Sequence, residues 1–222
     1  MVEFAKIRKA AEKRLGAQGV AARLPPVKSP AQIKKLGDDR YLSLMSLRIF
    51  RAGLKHEMVD AKWPAFETAF HGFNPKRVRA MSDEQVEALM KDAQLIRHLS
   101  KLKAVHANAA TICTLAEEHG SFAAWLAAWP SSEITKLWDA LAKRFAQLGG
   151  NSGPTFLRMA GKDTFILTPS VVAALNHWGV IEGEPKGKAD RAKLQAVFNA
   201  WAEETGLKLS HLSMTLAMSV AS

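Results

Sequence analysis

Cysteine is nearly absent: among 222 residues there is one, Cys113. A single cysteine excludes an intramolecular disulfide framework and any multi-cysteine zinc site. It sits in the apolar helical run NAATICTLAEE (108–118), which predicts a small buried hydrophobe. Long apolar runs are also missing, and none approaches the roughly 18–20 residues that span a bilayer. The first residues, MVEFAKIRKAAEKRLG, carry acids and no apolar stretch of the signal-peptide kind. A cytoplasmic location and no membrane partner are therefore expected. Sustained β-branched alternation is lacking too, and DTFIL (163–167) is too short to support a sheet.

What is present is an excess of positive charge. Thirty-one Lys and Arg face 21 Asp and Glu, a formal net charge of +10. The rest is ordinary for a globular chain, with 48% hydrophobic and 23% charged residues. Such a balance favours polyanionic partners, either nucleic acid or an anionic membrane surface. The excess is uneven, because residues 1–40 hold ten Lys/Arg against four Asp/Glu. That segment is a candidate for phosphate contact or simply a solvated basic helix.

Helical periodicity runs through most of the chain. Phe4, Ile7, Ala11 and Leu15 form one apolar stripe. GAQGVAARLPPVK (16–28) reads as a linker, so residues 1–28 are expected to be a basic arm and 29–222 one all-α domain. Ser29-Pro30 predicts a cap with proline at the first helical position. Residues 39–50 predict a central helix, and 55–70 another. Asn74-Pro75 marks a turn, and Ser82 with Gln85 a capping box for a helix to about Lys91. Further helices are expected over 99–119, 121–129, 132–147 and 154–160. Thr168-Pro169 caps one that ends before Gly179, and two more cover 189–205 and 208–219.

Two short stretches carry chemistry. LGGNSGP (148–154) lies between helices, with three glycines among Asn151 and Ser152. Bare main-chain amides at the start of the second helix suit a phosphate oxygen, the logic of a helix–hairpin–helix over about 133–160 that grips a DNA backbone. The contacts would come from Leu148, Gly149, Gly150, Asn151, Ser152 and Gly153. The plainer reading is a glycine-rich turn. In RAGLKHEM (51–58), Leu54 follows a glycine and sits among Arg51, Lys55 and His56. A leucine on a tight turn serves a core; one set between cations suits a wedge facing a negatively charged partner. The stretch itself leaves both open.

From about Asp39 to Cys113, roughly a third of the chain, the sequence resembles the bacterial 3-methyladenine DNA glycosylase I family. The residues that carry this are AGL (52–54), AFHGFNPKRVRAMSDEQVEALMKDAQLIRH (69–98) and SKLKAVHANA (100–109). The resemblance implies an all-α, two-lobed helix–hairpin–helix DNA glycosylase-like fold that binds duplex DNA. It implies that Gly53 and Leu54 form the wedge entering the duplex where a damaged base has been flipped out. Arg51 and Lys55 would then hold flanking phosphates. Arg48, Phe50 and His56 would stand near the base pocket.

Three departures bear on the activity. The family's zinc site of two cysteines and two histidines cannot form here, and helices beyond 185 are candidates for tying the ends down instead. The family's pocket glutamate is replaced by Arg48 and a pocket tryptophan by His56. Arg48 repels a cationic purine and suits a neutral base or one with acceptor oxygens. The aspartate that the wider superfamily often places after the hairpin is replaced by Thr168, and Asp163 nearby does not fit the pattern. Glu57 and Asp60, three apart at a helix start, are the remaining candidate catalytic carboxylates, one of which, desolvated beside His56, would act as a general base. Acids also favour helix N-termini for structural reasons alone. His71, His98, His106, His177 and His211 are too scattered to share a metal, and no cofactor is expected. Trp125, Trp129 and Trp138 fit apolar helix faces, while Trp178 is harder to place. The expected function is a monomeric DNA base-excision glycosylase acting on damaged double-stranded DNA. The alternatives are a relative that recognises such DNA without excision, or a basic helical scaffold.

Overall fold

The computed structural model describes residues 2–221, and among them there are α-helices, short 3-10 turns and no strand. In chain order the helices are α1 (Phe4–Leu15), α2 (Ala17–Ala21), α3 (Pro30–Lys34), α4 (Asp38–Arg51) and α5 (His56–Ala69). They continue with α6 (Pro75–Arg79), α7 (Asp83–Ala88), α8 (Leu99–His119), α9 (Phe122–Ala128) and α10 (Ile134–Arg144). The last four are α11 (Ser152–Ala160), α12 (Pro169–His177), α13 (Gly187–Thr205) and α14 (Leu209–Met218). The expected caps are in place. Ser29 caps α3, Ser82 with Gln85 forms the reciprocal box, and Thr168 accepts from Val171. Beyond what was expected, Ser29 forms a second box with Gln32, and Asn74, read only as a turn, caps α6 by accepting from Lys76 and Arg77. No described helix is long and apolar enough to cross a membrane.

The chain divides into two compact units. The first combines residues up to Lys28 with Pro130–Leu137 and everything from Gly161 onward. This corrects the expectation of a separate basic arm. Phe4, Ile7 and Ala11 are fully buried, because their stripe lies on the C-terminal helices. The Phe4 ring sits 5.4 Å from Trp201, whose Nε1 donates to the Val2 carbonyl at 3.0 Å. The Phe4 amide donates to Glu204 Oε1, and Arg14 donates to the carbonyls of Met218 and Val220. The presumed linker contains α2, because Val20 packs with Ala11 and Met218. Phe165 stacks on Phe198 at 4.2 Å, so DTFIL is buried coil rather than strand. Trp178, ambiguous in sequence, donates its Nε1 to Ser219 Oγ at 2.8 Å.

Asp163 has a structural task in this unit. Its carboxylate accepts from the amides of Leu209 and Ser210 at 3.2 and 2.9 Å, capping α14 from across the chain. Asp163→Ala leaves both amides without this acceptor. It is expected to cost about 1–2 kcal/mol in urea unfolding, with Asp163→Asn losing less.

The second unit holds Ser29–Trp129 and Trp138–Ala160. Its core includes an aromatic stack in which Trp63 lies parallel to Phe66 and Phe73, at 5.0 and 5.4 Å, and Phe66 parallel to Phe70. Trp63 Nε1 donates to Ser43 Oγ, and Ser43 donates to Glu67, which Arg40 grips with both terminal nitrogens at 2.9 Å. Phe122, Trp125 and Phe145 form a second aromatic group, and Cys113 is buried as expected. The α5 start, the later part of α10 from Trp138, the glycine turn and α11 belong to this unit.

Candidate nucleic-acid interface

The α10–α11 connection is short, glycine-rich and held from behind. After Arg144 the chain leaves the helix earlier than the periodicity predicted, because Gln147 takes a positive φ of 59°. α8 fixes this departure. Buried Asn108 donates to the Ala146 carbonyl at 3.1 Å and accepts from the Ala146 amide at 2.7 Å. Gln147 Nε2 donates to the Ser100 carbonyl at 2.9 Å, and Thr111 donates to the Arg144 carbonyl. Leu148 anchors the turn with a side chain only 1% exposed, so only its main chain can reach a ligand. Gly149, Gly150 and Asn151 are exposed, with Gly150 at φ 54°. α11 begins at Ser152, two residues before the expected Pro154. Proline fits the first turn, where its missing N–H would have had no helical partner.

The end of α4 lies beside this turn. Arg48, half-buried, places Nη2 3.5 Å from Ser152 Oγ, while its Nε is buried without a partner. Burial, with Arg51 nearby, lowers the Arg48 pKa from its ordinary value. Past Arg51 the chain turns through Ala52 and Gly53, and the Leu54 amide donates back to the Arg51 carbonyl. Leu54 is partly buried and keeps some of its surface in solvent. The buried ammonium of Lys101 closes the end of α4, donating to the carbonyls of Phe50 and Ala52 at 3.3 and 2.7 Å. It lies 5.9 Å from the Phe50 ring centre, and burial followed by repulsion from Arg48 lowers its pKa.

Several expectations are corrected by this geometry. Phe50 has no exposed surface and packs against Phe66 at 4.6 Å, so it belongs to the core rather than to a pocket wall. Glu57 and Asp60 are both exposed, so neither is the desolvated carboxylate that the general-base expectation required. Asp60 is also taken by Arg51, at 2.9 and 2.6 Å, and these hydrogen bonds lower its pKa from the ordinary carboxylate value. The same pair removes Arg51 from the set of free cations. Lys55 precedes α5 and His56 begins it, both exposed, and His56 adds to the positive surroundings of Asp60. Arg48 alone of the three expected pocket residues stands at the hairpin.

Lys101 and Asn108 were not singled out from sequence. With Val105 and Ile112 they recur every three to four residues along α8 and share its buried face. That periodicity is the signal that finds them, since a lysine and an asparagine in phase with apolar residues must have inward partners.

A helix, a glycine turn held by buried side chains, and a second helix beside an AGL turn define a helix–hairpin–helix protein of the DNA glycosylase fold. The family model for methyladenine glycosylases matches residues 32–148, more than half of the chain, and the chain belongs to that family. DNA-3-methyladenine glycosylase 1 of Escherichia coli K12 is 42% identical over 59 residues, covering 27% of this chain and 32% of that protein. The Haemophilus influenzae DNA-3-methyladenine glycosylase is 39% identical over the same length and shares. The chain thus matches about a third of the length of these curated relatives. Two solved structures share the fold. Staphylococcus aureus 3-methyladenine DNA glycosylase I aligns with a TM-score of 0.51 at 22% identity, over 68% of this chain and 91% of that one. The Methanocaldococcus jannaschii 8-oxoguanine glycosylase/lyase, solved with a 15mer DNA containing 8-oxoguanine, aligns at 0.55 and 16% identity over 96% and 94%. The zinc site implied by the family resemblance does not fit these residues, since the lone cysteine is buried in α8.

Proposed function

We propose that this protein binds damaged duplex DNA, turns a base out of the stack and hydrolyses its N-glycosidic bond. The observation that carries the reading is the contact between Arg48 and Ser152, which sets the hairpin and the AGL-bearing end of α4 one side chain apart. The exposed main chain at Gly149, Gly150 and Asn151 takes a backbone phosphate, assisted by Lys55, while the Ser152 amide closes the turn on the Gly149 carbonyl. Leu54 fills the vacated stack and offsets part of an unstacking cost of a few kcal/mol. Arg48 directs the choice toward a neutral base or one with acceptor oxygens. The protein works as a monomer in the cytoplasm and needs no cofactor.

A second reading is favoured by the exposure of Glu57 and Asp60: recognition of damaged or distorted DNA without excision. One assay separates the two. Duplexes each holding one alkylated, oxidised or deaminated base are incubated with the protein and treated with alkali. Strand breaks at the lesion, lost in Leu54→Ala, are the result expected for the enzyme; tight binding with no breaks identifies the non-excising relative. Affinity for DNA is expected to fall at least tenfold between 50 and 200 mM salt, the order set by releasing a few counterions. Salt-insensitive or absent binding would remove both readings.

A further inference from the structure

We infer that Lys101 is a positioning residue for the wedge turn, acting on DNA only through Leu54. This rests on the wedge reading of Leu54 given above. The side chain is 7% exposed, so it has almost no surface to offer a phosphate. Its ammonium is spent on the Phe50 and Ala52 carbonyls, two of the acceptors that the end of α4 leaves without helical partners. Ala52 is the C-cap of α4, and Gly53 follows at φ 76°. One buried cation therefore fixes the point at which the chain turns from α4 toward Leu54. The lysine sits in the first turn of α8, the helix that also holds Ala146 through Asn108. A single rigid element thus sets both the wedge turn and the entry to the hairpin.

The inference separates positioning from direct contact. The probe is a duplex with one abasic-site analogue, compared with the same duplex undamaged, by fluorescence anisotropy over a series of salt concentrations. The native protein is expected to prefer the gapped duplex, and Leu54→Ala to lower that preference about tenfold. Lys101→Met is expected to lower it by a similar factor with an unchanged salt slope. The double variant is expected to be no worse than Leu54→Ala alone. Gly53→Ala, which strains the same turn at positive φ without removing a contact, should match Lys101→Met. Lys101→Gln keeps an N–H₂ group for one carbonyl and should recover part of the preference; it is the variant read if the methionine protein does not fold. A retained preference in Lys101→Met, a salt slope reduced by about one as for a lost phosphate contact, or full additivity in the double variant would each overturn the inference. If Leu54→Ala itself leaves the preference intact, the wedge reading has failed, and the inference falls with it.

Discussion

Gly153→Ala is expected to disable the hairpin. A methyl group there would stand 2.8 Å from the Leu148 carbonyl oxygen, with Leu141 behind it at 3.6 Å. The carbonyl belongs to the main chain of a buried residue and has no rotamer by which to move away. The turn itself must open, at a cost of about 2–3 kcal/mol, the usual range for overpacking a tight site. The Ser152 amide, which donates to the Gly149 carbonyl at 3.1 Å and so closes the turn, would lose that partner, and affinity for undamaged duplex is expected to drop at least tenfold. Gly149→Ala is the matched control. Nothing lies within 4 Å of the added carbon and its φ is ordinary, so unfolding and binding should change by less than about 0.5 kcal/mol. Urea denaturation and anisotropy on both variants check the pair. Equal tolerance at the two positions would mean that the hairpin conformation does not matter to binding.

Arg48→Glu is expected to change which base the protein prefers. Two unit charges about 6 Å apart interact by roughly 3 kcal/mol at an effective dielectric near 20. Partial exposure of Arg48 reduces this to about 1–2 kcal/mol. Reversing the sign removes a repulsion toward a cationic base and adds an attraction, so preference for a cationic alkylated base over a neutral oxidised or deaminated one should shift by ~100-fold. Affinity for undamaged DNA should fall, because the carboxylate would lie near the phosphate path at Ser152. Competition between lesion-bearing duplexes gives the ratio directly. An unchanged ratio with a uniform loss of affinity would place Arg48 on a phosphate instead of a base.

Local signals in the sequence were dependable. Each capping pair, Ser29 with Gln32, Ser82 with Gln85 and Thr168 with Val171, lies within three residues, so its geometry is decided by the segment itself. The glycine turn and the AGL turn were legible for the same reason. What escaped was set by partners far along the chain. Phe50 reads as an aromatic beside a pocket until Phe66 and Trp63 cover it. Arg51 and Asp60 look available until the turn between α4 and α5 folds them together. The basic N-terminal stretch looks like a free arm because Trp201, which receives Phe4, lies nearly two hundred residues away.

That last contact has a consequence during synthesis. The first unit draws its helices from three separate stretches, and α1 meets α13 and α14 only after those later helices have been made. Phe4, Ile7 and Ala11 therefore stay uncovered while the hairpin-bearing unit is free to assemble around its own core. Docking of α1 is thereby a late step, closing the first unit after its distant partners are in place.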